Sequence, residues 1–277
     1  MSNQVWESVK IELTTKEPLH IGGTSHILSD IHNPIVLLNG STPAIPGTSL
    51  KGAWRSQIER YLIGYLEEKG LIDKGEEIGV KPCIPSSFKN LSDDEKQFGD
   101  NGKYKRKKLF NKDTKTYNYT RDLEPCDYDR DSDYICPACY LLGAQTLQGF
   151  IRVPFLLPAP NQNEIDTLLY SIREDRAKAG AAKASNRGWY IVNPGIKFEG
   201  EVEILMEDKL RKWKFGEKRS NLKYKNLDRW LDNKDWTIDT IKSELIKNRL
   251  EKGVNILGGY KSKGCGKVEI KITFKSC

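Results

Sequence analysis

The order in which strand-like and helix-like patterns follow one another most strongly constrains the fold of this chain. Apolar and polar residues alternate over 5–13, 195–205 and 267–274, which is typical of half-buried β-strands. Apolar residues recur at helical spacing from Leu50 to Leu66 and again over 236–253. The resulting order of strand, helix, strands, strand, helix and strand predicts an α+β protein.

This order is that of a split βαβ arrangement, so we expect a ferredoxin-like (RRM-like) core with helices on one face of an antiparallel sheet. Two stretches without clear periodicity interrupt it. Residues of about 70–140 form an expected insertion, in which no role is assigned to the basic run at 103–108. The polar, glycine-bearing stretch at about 173–190 is expected to protrude as an arm. Because no internal repeat is evident, residues 1–277 are expected to form one domain with these additions.

Charge and hydropathy narrow the class of function. The chain has 277 residues, with 45 Lys and Arg against 38 Asp and Glu, and its formal net charge of +7 suits a polyanionic partner. Its longest apolar runs are too short to span a bilayer, and its first twenty residues lack the apolar region of a secretory leader. The sequence therefore predicts a cytoplasmic protein without a membrane partner.

The cysteines predict a structural zinc site. Cys136 and Cys139 form a CxxC turn, Cys126 lies ten residues before it, and Cys83 supplies a fourth thiolate. Disulfides are not expected in a reducing compartment, and a redox CxxC would normally begin a helix in a βαβ unit. Two buried cysteines without metal are the other alternative. The spacing does not choose between Cys83 and a histidine as fourth ligand; the histidines are His20, His26 and His32.

The motif IPGTSLKGAWR predicts a helix that carries cations near its start. Thr48 or Ser49 is the expected N-cap, and Lys51 and Arg55 lie four residues apart on one helix face. Unpaired backbone N–H groups and the helix dipole favour an anion at such a position. The motif is therefore a candidate phosphate site that includes Ser49. Taken alone, it is equally consistent with a capped helix and two solvated cations.

Two glycine-rich loops are further candidates for contact with a sugar-phosphate chain. The early loop, PLHIGG, contains Gly22 and Gly23. The late loop, LGGYKSKGCG, contributes two glycines and two cations, namely Gly258, Gly259, Lys261 and Lys263. Glycine allows another backbone to approach closely, and lysines neutralise phosphates. Both loops are expected to bind RNA, although glycine loops alone are weak indicators.

The predicted arm is a third basic element. It carries cations that include Arg176, Lys183 and Arg187, followed by the aromatic residues Trp189 and Tyr190. Aromatic rings can stack on unpaired bases while the cations contact the backbone, and this combination is typical of proteins that bind single strands. A solvated basic loop is the alternative interpretation of the same stretch.

Taken together, LHIGG, IPGTSLKGAWR, CPACYLLG and LGGYKSKGCGKV resemble the RAMP (repeat-associated mysterious protein) superfamily, specifically the backbone subunits of type III CRISPR effector complexes. The motifs follow the family's order over most of the chain. The resemblance implies an antiviral ribonucleoprotein in which the subunit binds crRNA (the guide) and target RNA beside other effector subunits. It also implies that the insertion is a zinc finger, that the basic helix and late loop grip the guide, and that the arm interrupts the guide–target duplex.

The resemblance also raises the question of catalysis. Catalytic members carry an aspartate two residues before the proline of the early loop, and in this chain that position, before Pro34, is His32. Asp30 could hold Mg²⁺ or Mn²⁺ if the loop is remodelled, with His32 as general acid or base. The alternative function is thus an endoribonuclease, metal-dependent on target RNA or metal-free on precursor guide RNA. A nucleotide-binding zinc-ribbon enzyme is disfavoured because no P-loop and no GxGxxG motif follows a strand.

Overall fold

The computed structural model describes most of the chain as two compact units. The described residues are 4–23, 31–83, 110–111, 116–117, 126, 134–144, 146–171, 174–175, 180–181, 187–220, 222 and 226–274. Unit 1 comprises Met1–Val5, Ile58–Ile151 and Leu205–Ile241, and unit 2 comprises Trp6–Gln57, Arg152–Ile204 and Lys242–Cys277. The single RAMP-type domain expected over 1–277 stays a prediction.

Strands and helices follow one another along the chain in this order. The strands are β1 (Gln4–Thr15), β2 (Ile31–Asn33), β3 (Leu37–Leu38), β4 (Thr42–Pro43), β5 (Phe110–Asn111), β6 (Thr116–Tyr117), β7 (Ile151–Arg152), β8 (Leu157–Pro158), β9 (Asp166–Ser171), β10 (Glu174–Asp175), β11 (Gly180–Ala181), β12 (Arg187–Val192), β13 (Lys197–Asp208), β14 (Trp213–Lys214) and β15 (Val268–Phe274). The helices are α1 (Gly47–Glu68), α2 (Pro137–Leu142) and α3 (Ile238–Thr240), which continues as a π-helix over Ile241–Gly253. Short 3₁₀ turns lie at Ile72–Lys74, Arg229–Asp232 and Lys261–Lys263. Among these described elements, no helix combines the length and apolarity needed to cross a membrane.

A sheet with antiparallel pairings runs through unit 2. β1 lies between β13 and β15, and it pairs antiparallel with β15. β8 pairs antiparallel with β13. The side chains of β15 alternate as the sequence predicts, with Val268, Ile270 and Ile272 buried and the residues between them exposed. The mixed α/β content and the antiparallel sheet confirm the coarse fold prediction.

Helix α1 presents the apolar face that its sequence predicts. The residues of the four-residue stripe are all fully buried; they are Leu50, Trp54, Ile58, Leu62 and Leu66. Within unit 2, the Trp54 Nε1–H donates a hydrogen bond to the Leu245 carbonyl over 2.8 Å, so the buried indole is satisfied. The helix is therefore held by one continuous apolar stripe, as predicted.

The start of α1 differs from the prediction. The helix begins at Gly47, so the cap expected at Thr48 or Ser49 is wrong. The Ser49 N–H donates to the Pro46 carbonyl over 3.0 Å, which satisfies it within the first turn. Gly47 packs against the backbone carbonyl of Val153, where a Cβ would not fit. This close backbone contact therefore requires glycine at the first residue of the helix.

The helix predicted for 236–253 is present but is wound more loosely than an α-helix. α3 follows Thr237, whose hydroxyl accepts a hydrogen bond from the Thr240 N–H over 3.1 Å, as an N-cap does. The chain then adopts π geometry, in which hydrogen bonds run from residue i to residue i+5. Its buried apolar residues are accordingly spaced by four and five; they are Ile241, Leu245, Ile246 and Leu250.

The predicted arm contains paired backbone. β9 pairs antiparallel with β12 along its full length, and β10 pairs antiparallel with β11. β2 pairs in parallel with β12 at Gly188 and Trp189. Within the described residues, β9 and β12 are therefore the two strands at the base of a hairpin, and β2 is added to β12 in parallel. Its protrusion as an arm stays a prediction.

Much of the predicted insertion at about 70–140 lies outside the described residues. The described parts are the chain up to residue 83, the short antiparallel pair β5 and β6, Cys126, and the segment from 134 that leads into α2. The basic run at 103–108 is not among them. What the structure describes of the insertion is therefore mainly the part that carries its cysteines.

A buried ion pair lies within the aromatic core of unit 1. The Arg219 guanidinium donates to both carboxylate oxygens of Asp228, over 2.8 Å from Nε and 2.6 Å from Nη2, and both side chains are completely buried. The guanidinium carbon lies 5.0 Å from the ring centre of Tyr140, 5.8 Å from that of Phe150 and 5.5 Å from that of Trp213. The sequence gives no sign of this pair, which joins residues 219 and 228 beside these rings.

We expect Arg219→Met to lower the free energy of unfolding by about 3–5 kcal/mol, because it leaves the Asp228 carboxylate buried without its partner. Arg152→Met is the matched control. The Arg152 side chain is 70% exposed and pairs with Glu203, so its loss should cost about 1 kcal/mol or less. Urea denaturation followed by circular dichroism measures both. Equal losses in the two variants would contradict a stabilising role for the buried pair.

Candidate metal centre and nucleic-acid interface

The structure brings the four predicted cysteines of unit 1 together. All four side chains are buried, and their sulfur atoms lie within 4.8 Å of one another; they are Cys83, Cys126, Cys136 and Cys139. The Cys83 sulfur lies 3.5 Å from that of Cys139 and 3.9 Å from that of Cys136. A disulfide needs sulfurs about 2.05 Å apart, so the cluster consists of separate thiols.

Local structure explains how the CxxC pair converges. Cys136 is the N-cap of α2 and Pro137 occupies its first turn, so one helical turn separates Cys136 from Cys139. The Cys136 N–H points at the Cys126 sulfur over 3.5 Å. The Tyr134 hydroxyl donates to the Lys81 carbonyl over 3.0 Å, which holds the segment leading to Cys83 beside them. A helix N-terminus and its N–H groups favour thiolates over thiols.

The geometry of the cluster is compatible with a tetrahedral metal ion. With Zn–S bonds of about 2.3 Å, neighbouring sulfurs in a tetrahedral site lie about 3.8 Å apart. The two distances from the Cys83 sulfur, 3.5 and 3.9 Å, bracket that value, and all four sulfurs lie within 4.8 Å of one another. Hydrogen bonds with the sulfurs of Cys136, Cys139 and Cys83, followed by burial, raise the pKa of the Cys126 thiol well above its ordinary value. A bound cation reverses this penalty, because thiolates are the ligands and metal binding releases their protons.

The redox alternative is disfavoured, although the CxxC motif does begin a helix. A redox pair needs two cysteines with one accessible sulfur, whereas Cys136 and Cys139 are buried beside two further thiols. Among the histidines, the side chains of His26 and His32 lie outside the described residues. In unit 2, the His20 Nδ1 contacts the Tyr190 carbonyl over 2.7 Å. Within the described residues, Cys83 is therefore the fourth member of the cluster.

The two glycine-rich loops meet in unit 2. The Gly259 N–H donates to the His20 carbonyl over 2.7 Å, and the Gly266 N–H donates to the Pro18 carbonyl over 2.9 Å. Gly258 has φ +80° and packs so closely on the His20 carbonyl that a Cβ would not fit. The early and late loops are thus locked together through main-chain atoms. Glycine is required at 258 both by its dihedral angle and by this contact.

The base of the hairpin joins the same assembly. Leu19 and Val192 exchange both backbone hydrogen bonds, at 2.9 and 2.7 Å. The Tyr190 carbonyl accepts a hydrogen bond from the His20 Nδ1–H over 2.7 Å, since a carbonyl cannot donate. The early loop is therefore flanked by β12 on one side and by the late loop on the other. Three elements that the sequence identified separately lie together in unit 2.

The lysines of the late loop lie on an exposed 3₁₀ turn. Tyr260 adopts the left-handed conformation at φ 54°, and Gly264 ends the turn at φ 77°. Lys261 and Lys263 are exposed between them. The Lys263 ammonium lies 4.8 Å from the ring centre of Tyr260 and 5.9 Å from that of Trp189. Both predicted cations are thus presented to solvent, and Lys263 lies beside two aromatic rings.

The other predicted contacts are described to different extents. Lys51 and Arg55 are half-buried on α1, one turn apart, and the Ser49 N–H is already bonded to Pro46 rather than available to a phosphate. Gly23 packs on the Ile35 carbonyl, while Gly22 is exposed. Arg187 begins β12, but its side chain is outside the described set. Also outside the described residues are Asp30, Arg176, Lys183 and the side chain of His32.

The ring cluster of His20, Trp189 and Tyr260 was not predicted from the sequence. The His20 ring lies 4.7 Å from that of Tyr260 and 6.3 Å from that of Trp189, and the Trp189 and Tyr260 rings are 4.9 Å apart. The available signal was an aromatic residue inside each glycine loop, in LHIGG and in GGYKSKG. Because glycine loops bring main chains close, aromatic residues within them are well placed to touch.

Comparison with known proteins identifies the family. The model of the RAMP superfamily matches residues 12–269, which run from β1 to β15. A search of the curated proteins finds no match to the chain. RAMP proteins generally bind RNA and act in multi-subunit CRISPR complexes. The match agrees with the motifs in both glycine loops and in α1, and it covers nearly the whole sequence. The chain therefore belongs to the RAMP superfamily.

Proposed function

We propose that this chain is a guide-binding backbone subunit of a type III CRISPR effector complex. The observation that carries the proposal is the convergence of the early loop, the late loop and the base of the hairpin around His20. Family membership supports RNA as the polyanion that this basic chain binds. The partners are then crRNA, target RNA and the other subunits of the effector.

We further infer a ferredoxin-like core for unit 2. Its support is the chain order of β1, α1, β8, β13, the π-helix and β15, which is the strand and helix order of that fold. The position of β1 between β13 and β15 is consistent with it, because the first and last strands of the core pair. Such a core presents its loops at one edge, where an RNA strand can lie across several copies.

Each basic element has a separate role in the proposal. Lys51 and Arg55 neutralise guide phosphates from α1, and Lys261 and Lys263 do so from the late loop. The glycines Gly22, Gly23, Gly258 and Gly259 let the sugar-phosphate chain approach the backbone. The hairpin contacts the guide–target duplex through Arg176, Lys183 and Arg187. These contacts are directed at phosphates, so binding is expected to tolerate any sequence.

We propose that the cysteine cluster of unit 1 holds a structural Zn²⁺. Four buried thiols at tetrahedral spacing leave no open position for water or substrate, and such closed sites stabilise folds rather than perform chemistry. The ion would link the segments ending at Cys83 and Cys126 to the start of α2. Zinc fits better than magnesium or calcium because all the ligands are soft sulfurs.

We expect one zinc ion per chain in protein purified without chelators, because the described residues of each chain contain one such cluster. Elemental analysis measures it. Cys136→Ser combined with Cys139→Ser should abolish retention, since two ligands cannot hold the ion. Cys265→Ser is the matched control, because Cys265 is also buried but lies in unit 2 outside the cluster. A metal content near zero in the unmodified protein, or full retention in the double variant, would refute the site.

We expect the chain to bind single-stranded RNA with an affinity that falls steeply as salt rises, whatever the sequence. Replacing both Lys51 and Arg55 by Ala should weaken every RNA about equally and reduce the salt slope by about 2, or about 1 per lost phosphate contact. Arg60→Ala, an exposed cation on the same helix, is the control. Affinity independent of ionic strength, or a double variant with the slope of the control, would count against this interface.

A second candidate function is cleavage at the early loop. The observation that favours it is the parallel pairing of β2 with β12, which sets the backbone at Asn33, beside His32, against Trp189 of the candidate interface. In this version the chain is an endoribonuclease with Asp30 holding Mg²⁺ or Mn²⁺. Alternatively, His32 acts without metal on precursor guide RNA.

In the assembled effector, Asp30→Ala should abolish one specific cut in target RNA and leave guide binding intact if the metal-dependent version holds. His32→Ala should instead stop cleavage that persists in EDTA if the metal-free version holds. Denaturing gels of end-labelled RNA resolve the cuts. If both variants leave every cut unchanged, this subunit is a scaffold and not a nuclease.

A further inference from the structure

We propose that unit 2 contains a seat for one unpaired nucleotide of bound RNA, built from His20, Trp189, Tyr260 and Lys263. This inference rests on the proposed function, because the ligand is a nucleotide of the same RNA. It goes beyond that function because it assigns contacts with a base to this face. The other contacts proposed for the face are made with phosphates.

The aromatic rings supply the stacking surface of the nucleotide seat. Trp189 and Tyr260 lie 4.9 Å apart with their planes 58° to one another, and both side chains are only half-buried. Base–aromatic stacking is tolerant of sequence, because every base has a π-face. An exposed aromatic pair at the meeting point of two glycine loops therefore suits a base whose backbone those loops approach.

His20 supplies a directed polar contact. The residue is only 6% exposed. Because the Tyr190 carbonyl can only accept a hydrogen bond, the nitrogen that contacts it, Nδ1, carries the proton. In the neutral ring, Nε2 is then a hydrogen-bond acceptor, and within the described part of the chain it has no partner. Nε2 is not itself enclosed, so a donor on the ligand can reach an acceptor whose orientation the Tyr190 carbonyl fixes.

Gly22 keeps the approach to this acceptor open. A Cβ built on Gly22 would be in van der Waals contact with the His20 Nε2, at 3.7 Å, so a bulky side chain such as valine would extend into the space in front of it. Gly22 is exposed and does not have a positive φ, so backbone strain does not demand glycine. The space it leaves is therefore a reason for glycine at this position.

Lys263 completes the seat as a movable cation. Its ammonium rests over the Tyr260 and Trp189 rings, at 4.8 and 5.9 Å. An exposed cation–π contact is weaker than the stacking of a base on the same rings. A base can therefore displace the ammonium, which then lies close to the phosphate of the same nucleotide.

The donor to the His20 Nε2 is either the ribose 2′-hydroxyl or an N–H group of the base.

The test compares short unpaired RNAs that are abasic throughout or that carry one base. With the full chain, the base-bearing RNA should bind about five- to a hundredfold more tightly than the all-abasic RNA. Trp189→Leu should bring this ratio close to one, because it removes the larger of the two stacking rings. Phe155→Leu is the matched control, because Phe155 is another exposed aromatic residue of unit 2, at 45% exposure, without a ring contact among the described residues.

Two variants test the His20 side of the seat. Gly22→Val should lower the ratio by obstructing Nε2, whereas Gly64→Val, at a helical glycine with nothing within 4 Å, should not. His20→Asn keeps a donor for the Tyr190 carbonyl but removes the acceptor, so it should also lower the ratio. Loss of the same increment on 2′-deoxy substitution assigns the donor to the ribose. Loss on removing the exocyclic amine of the base assigns it to the base.

The outcomes distinguish failure of the proposed function from failure of the nucleotide seat. If the unmodified chain binds neither RNA, the proposed function fails and the nucleotide seat fails with it. If both RNAs bind equally well, only the seat is overturned. If circular dichroism shows that Trp189→Leu does not fold, the comparison of Gly22→Val with Gly64→Val is by itself the test of the seat. A ratio that Gly22→Val leaves at the unmodified value then contradicts the seat.

Discussion

The close approach of Gly258 to the His20 carbonyl is the contact on which the proposed RNA-binding face depends. It brings two main chains together where a Cβ would not fit, and the Gly259 N–H completes it over 2.7 Å. From this contact follow the place of Tyr260 against His20 and the exposure of Lys261 and Lys263. The hydrogen bond from the His20 Nδ1–H to Tyr190 extends the same arrangement to the hairpin. A main-chain contact thus determines where side chains can meet a ligand.

Local patterns predicted the elements of this fold, whereas contacts between distant residues could not be predicted. The alternation in β15 and the stripe on α1 are visible in the sequence because each depends only on residues a few positions apart. His20 and Tyr190 are 170 residues apart, and nothing local marks them as partners. The buried Arg219–Asp228 pair was missed for another reason. Two charges nine residues apart in a polar stretch normally indicate a solvated loop.

The two candidate sites differ in how far sequence could define them. The cysteines were identified by residue type and spacing alone, because few side chains bind zinc, and only the choice between Cys83 and a histidine needed coordinates. For RNA, the cations and glycines were identified singly, but their grouping depended on the folded loops. The limit of prediction from the sequence is clearest at the start of α1. Ser49 was expected to offer its N–H to a phosphate, yet that group is bonded to Pro46.

Ultraviolet crosslinking of guide RNA to the chain, with the attached peptides identified by mass spectrometry, tests the central claim most directly. The claim is that the early loop, the base of the hairpin and the late loop form one RNA-binding face. We therefore predict crosslinks in all three stretches, 18–23, 187–190 and 258–264, with loss of all three at high salt because phosphate contacts hold the RNA. Crosslinks confined to other parts of the chain, or found in only one of these stretches, would contradict a shared face.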